Sequence, residues 1–135
     1  MSATDAPGAK DTTGAKGAAG AGGARSAITT HVLDTTRGRP AVGVPVRLCR
    51  VVGDQNTVLA SAYTDADGRV SRLGPDRVEP GAYTLRYDTA AYFAATGQSG
   101  FFPEVGVTFT LTDATQHYHV PVLLSPFAYS TYRGS

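Results

Sequence analysis

Glu104-Val105-Gly106-Val107-Thr108-Phe109-Thr110-Leu111-Thr112 is the stretch on which the fold turns. Val105, Val107, Phe109 and Leu111 share one parity, while Gly106, Thr108 and Thr110 share the other. A period of two marks a half-buried β-strand, because successive side chains leave opposite faces of the sheet. The same period runs outward in both directions. Downstream, residues 116–124 and 128–133 read as the last two strands, parted by the turn Ser125-Pro126. Upstream, strands are expected at 27–35, 44–52, 57–64, shortly after Arg69, and at 82–87.

Turn chemistry separates these runs at short intervals. Gly38-Arg39-Pro40 ends the first strand, Gly53-Asp54-Gln55-Asn56 the second, and Asp65-Ala66-Asp67-Gly68 the third. A longer loop runs from Gly74-Pro75-Asp76 to Pro80-Gly81. One segment reads as helix, residues 88–96, with Asp88 as N-cap, an Ala-rich interior and Gly97 as the stop. About eight short strands and one short helix predict an all-β domain, two packed antiparallel sheets in a sandwich. No internal repeat is visible, and the βαβ alternation of a doubly wound fold is missing.

The chain has 135 residues, room for a single domain. Residues 1–25 differ in kind: Gly and Ala dominate, and Val, Leu, Ile, Phe, Tyr and Trp are all missing. Such a segment buries too little apolar surface to offset its ordering entropy, so a disordered tail is expected there. The folded domain is then 26–135. The tail has no apolar core of a secretory signal, which leads us to expect a cytoplasmic protein. A net charge of +1 gives no reason to expect nucleic acid or an anionic membrane as partner. No apolar run approaches the ~20 residues that span a bilayer. Cys49 is the single cysteine, which excludes an intramolecular disulfide framework and a cysteine-based zinc site. Its place in Val46-Arg47-Leu48-Cys49-Arg50-Val51 suits a buried structural residue.

Three features could carry chemistry. His31 lies mid-strand, His117-Tyr118-His119 projects two imidazoles from one strand face, and Ser130-Thr131-Tyr132-Arg133-Gly134-Ser135 is a polar terminus attached to a strand. A lone strand histidine is more often a half-buried, hydrogen-bonded residue than a catalyst. Two imidazoles on one face are harder to bury, and these places hold all three histidines of the chain. Together they could ligate zinc. Alternatively they could act without metal, one imidazole taking a proton from water and later delivering one to a leaving nitrogen. A nearby arginine would hold an anion or a developing oxyanion. Arg69, just after the turn Asp67-Gly68, is a candidate, although arginines in such places are commonly solvated. No Gly-x-Ser-x-Gly elbow supports a serine hydrolase.

Thr30-His31-Val32-Leu33-Asp34-Thr35 with Gly38-Arg39-Pro40-Ala41 resembles the opening motif of the transthyretin-like family. Phe101-Phe102-Pro103-Glu104 and the run from His117 to Pro126 are similar to it as well, so the resemblance covers 27–135. It implies a prealbumin-like (transthyretin-type) eight-stranded antiparallel sandwich with one short helix. The family divides into hormone-type small-ligand carriers and hydrolases of 5-hydroxyisourate. The ending Tyr132-Arg133-Gly134-Ser135 resembles the hydrolase signature, which the carriers lack. On that resemblance His31, Arg69 and His119 are expected to be catalytic, and His31, Arg69, Tyr132 and Ser135 to bind substrate. His117 is expected to be structural or to support them. The resemblance further implies a homotetramer with active sites in a cleft between dimers, and neither metal nor organic cofactor. Asp65 departs from the Asn common among the hydrolases, which bears only on its loop. The rival expectations are a small-ligand carrier and a non-catalytic sandwich module.

Overall fold

The computed structural model describes residues 25–135. The tail expected over residues 1–25 lies, apart from Arg25, outside the described residues. In chain order the elements are β1 (Ile28–Asp34), β2 (Arg39–Pro40), β3 (Pro45–Val52), β4 (Gln55–Tyr63) and β5 (Arg69–Val70). Then follow β6 (Gly81–Tyr87), α1 (Thr89–Ala95), β7 (Val105–Leu111), β8 (Tyr118–Ser125) and β9 (Ala128–Thr131).

One sheet has the order β4-β3-β6-β7, antiparallel throughout. The other has the order β9-β8-β1, and the far side of β1 is shared by two fragments, β5 against its first half and β2 against its end. The sheets face each other across one core. Ile28, Val32, Val120, Val122 and Leu124 come from one sheet, and Leu48, Tyr83, Leu85, Val105 and Leu111 from the other. The face of β7 expected to be buried is the buried one: Val105 and Leu111 are enclosed, Val107 and Phe109 partly so, and Gly106, Thr108 and Thr110 are exposed.

Three details depart from the sequence expectation. The sandwich is mostly antiparallel, but β1 and β8 pair in parallel along seven residues, Tyr118 with Ile28 through Leu124 with Asp34. Periodicity reports which face is buried and is blind to the direction of a neighbour, so it could not reveal this seam. The β3–β4 connection is two residues, Gly53-Asp54, because Gln55 and Asn56 already pair with Val52 and Val51. Gly53 supplies the positive φ of +59° that so tight a turn needs. The last strand stops at Thr131, two residues short of Arg133. Pro121 stands opposite that break and has no N–H to give, and its carbonyl accepts from the Thr131 hydroxyl at 2.7 Å.

The helix forms where expected. The Asp88 carboxylate accepts from Ala91 N at 3.0 Å, and Gly97 takes φ +69° beyond the end. Thr89, Tyr92 and Phe93 are the residues it buries. Cys49 is buried and unpaired.

Candidate active site

The outer face of the β9-β8-β1 sheet carries the chemistry. Inward-pointing Ile28, Thr30 and Val32 leave Thr29, His31 and Leu33 on the opposite face of β1. The parallel seam sets Thr29 beside His119 and His31 beside Pro121. On its other side His119 is bridged by Gly134, whose N–H donates to the His119 carbonyl at 2.8 Å. β5 pairs Arg69 directly with His31. Residues scattered over about a hundred positions thus occupy adjacent rows of one face, ~5 Å apart.

A cavity of about 140 Å³ opens there, with Arg25, Thr29, Arg69, His117, His119 and Ser135 in its lining. Of the residues singled out in the sequence, Arg69, His117, His119 and Ser135 therefore meet in one place. His31 is half-buried in the neighbouring row and is absent from the cavity wall. Tyr132 is 58% exposed and stands away from the wall. Arg133 turns from the cavity too, lying 4.5 Å over the Tyr118 ring and donating to Gln116 Oε1 at 3.0 Å.

One wall residue has little signal in the sequence: Thr29 is merely the neighbour two residues before His31, whereas His117 is singled out with His119 and expected to be structural or supporting. The Thr29 hydroxyl lies 2.9 Å from His117 Nε2 and 2.8 Å from His119 Nδ1. The two rings stack with centroids 6.5 Å apart and planes 19° from parallel. Knowing that β1 runs parallel to β8 would have found Thr29, since it is the register partner of His119.

Burial, then the charge of Arg69, then His117, His31 and Arg25 hold the His119 pKa below the usual histidine value. Burial and Arg25 lower that of His117, opposed by a hydrogen bond to the Ser26 backbone. Both imidazoles are thereby biased to the neutral form, the form a proton acceptor needs. Among the described residues no group of three or more His, Cys, Asp or Glu is arranged to hold a metal ion. No described helix is long and apolar enough to cross a membrane.

Residues 28–134 match the HIUase/Transthyretin family. The chain belongs to that family. It is 49% identical over 113 residues to the 5-hydroxyisourate hydrolase of Mus musculus, covering 82% of this chain and 96% of that protein. Among solved structures, the Klebsiella pneumoniae 5-hydroxyisourate hydrolase is similar with a TM-score of 0.72 and 37% identity, over 80% of this chain and 97% of that one. Sea bream transthyretin in complex with thyroxine is similar with a TM-score of 0.75 and 30% identity, over 79% of this chain and 93% of that one. Both branches of the family share this sandwich, so the backbone does not choose between them.

Proposed function

We propose that the chain is a 5-hydroxyisourate hydrolase. The observation that carries this reading is the terminal bridge. Gly134 closes onto His119 and sets Ser135 into the same small cavity as Arg69 and two neutral-biased imidazoles. A carrier needs a pocket of matching shape; a proton acceptor, a guanidinium and a fixed polar end are what a hydrolysis needs. The names of the relatives on the hydrolase side support the same substrate.

In this mechanism His119 takes a proton from water as the water oxygen adds to the carbonyl carbon of the lactam-type C–N bond. Arg69 holds the substrate oxygen and stabilises the oxyanion that develops on it. The C–N bond then breaks, and the nitrogen leaves with the proton returned by the His119 imidazolium. His31, beside Arg69, is the partner of His119, and Tyr132 and Ser135 hold the ring. The product is 2-oxo-4-hydroxy-4-carboxy-5-ureidoimidazoline. The protein works as a homotetramer, in which a partner copy covers the open side of the cavity.

The test is the ultraviolet decay of 5-hydroxyisourate made fresh from urate by a urate oxidase. The protein should accelerate it, and His119→Ala should lower turnover by roughly 100-fold or more, the usual scale of a general base. Full turnover by His119→Ala would remove His119 from the mechanism. No acceleration by a folded sample would favour the carrier reading.

A further inference from the structure

We propose that Thr29 is a positioning residue which, together with His117, locks His119 in the tautomer whose Nε2 carries a lone pair. A hydroxyl has one hydrogen to donate, and its oxygen can accept from another donor. Thr29 Oγ1 lies within hydrogen-bond distance of two imidazole nitrogens, 2.9 Å from His117 Nε2 and 2.8 Å from His119 Nδ1. Thr29 is almost wholly enclosed, so water does not compete for these bonds. The two rings therefore cannot choose their tautomers independently.

The two directions of the chain differ in which ring nitrogen of His119 is left bare. A proton acceptor at His119 needs Nε2 bare, because Nδ1 is already given to Thr29. In that direction His117 Nδ1 bears the hydrogen and its Nε2 is bare. Nε2 accepts the Thr29 O–H, and the Thr29 oxygen is left to accept Nδ1–H of His119. Nε2 of His119 is then the bare nitrogen. When it takes a proton, neither of the two hydrogen bonds to Thr29 has to break, so the base is prepared before water arrives and keeps its place after charging. The reverse chain would leave His119 with N–H at Nε2, an acid where a base is required.

The charged or titratable groups that face His119 are Arg69 on β5, His31 on β1, His117 beside it and Arg25 ahead of β1. Among the described residues none of these groups bonds Nδ1, whereas Thr29 does. The coupling of the two tautomers stands on geometry, whereas its direction and its effect on turnover rest on the hydrolase reading.

Long-range proton–nitrogen correlation spectra of the full chain, without substrate, read each imidazole tautomer directly. His119 should be the Nδ1–H form and His117 the Nδ1–H form. In Thr29→Val, which keeps the shape and removes the hydroxyl, His119 should shift toward Nε2–H. With 5-hydroxyisourate, kcat should fall by at least about 10-fold and KM by less than about 2-fold. Thr29→Ser should restore both the spectrum and kcat, which separates the hydroxyl from any packing defect, and thermal melts confirm that the variants fold. An Nε2–H His119 in the unmodified protein, or unchanged spectra in Thr29→Val, overturns the proposal. A protein with the stated tautomers and no turnover of 5-hydroxyisourate sinks the functional reading instead.

Discussion

At the scale of single residues the site is held by contacts too close to tolerate substitution. A Cβ added to Gly134 would stand 2.7 Å from Cδ2 of His119 and 3.1 Å from Cγ of Pro121. Gly134→Ala must therefore push the imidazole or lift the terminus away. Because the terminus is largely exposed, the melting temperature should hold within about 2 °C while kcat/KM drops by roughly 10-fold or more. An unchanged kcat/KM would mean that the bridge to His119 does not matter. Arg69 acts on the same imidazole through its charge. Burial lowers the His119 pKa most and Arg69 next, so Arg69→Met should raise that pKa part of the way back. The acid limb of the kcat/KM profile reports protonation of the base, and in this variant it should move to higher pH, along with a weaker KM. An acid limb that stays in place would show that Arg69 is not near the base in the working enzyme.

Among the elements, the junction of β1 with α1 shows how the sheet supporting the site is braced. Asp34 ends β1 with 1% of its surface exposed. Burial alone would raise its carboxyl pKa, but hydrogen bonds from Tyr92 at 2.6 Å, the Arg37 backbone at 2.9 Å and Gln98 at 3.1 Å outweigh it and hold the carboxyl below its usual range. The same contact, after burial, pushes the Tyr92 hydroxyl up to about 12. A lowered carboxyl pKa means that this stabilisation is present above the unfolded value near ~4 and is lost as pH falls through the folded one. Asp34→Ala should cost about 1–3 kcal/mol at neutral pH, the penalty for leaving buried donors unpaired, read from urea unfolding. The loss relative to the parent should shrink below about pH 4, and a difference constant from pH 7 to pH 3 would sink the linkage.

As a whole molecule, the sandwich exposes the very face that holds the cavity. His117, His119 and His31 are only partly covered in the single chain. A homotetramer would cover that face and exclude water from the reacting centre, which strengthens each charge interaction there. Sedimentation equilibrium should return four times the chain mass of 14.0 kDa at working concentration. A monomer with full turnover would show that one chain supplies the entire site.

Strands and helix were legible in the chain because burial periodicity is a local property. Val105, Val107, Phe109 and Leu111 reveal a buried face whatever lies beside them, and Asp88 and Gly97 bracket a helix with groups from their own turns. Arg69, His119 and Ser135, singled out in the sequence by resemblance to the family motif, do line the cavity, whereas His31 and Tyr132, singled out in the same way, do not. What only the tertiary structure decided is which of them meet. The parallel β1–β8 seam joins Thr29 to His119, and Pro121, lacking a donor, breaks the last strand so that Gly134 returns to bridge His119 while Tyr132 stays outside. Pairing direction and register are set by contacts between segments about ninety residues apart, and no local pattern of side chains encodes them.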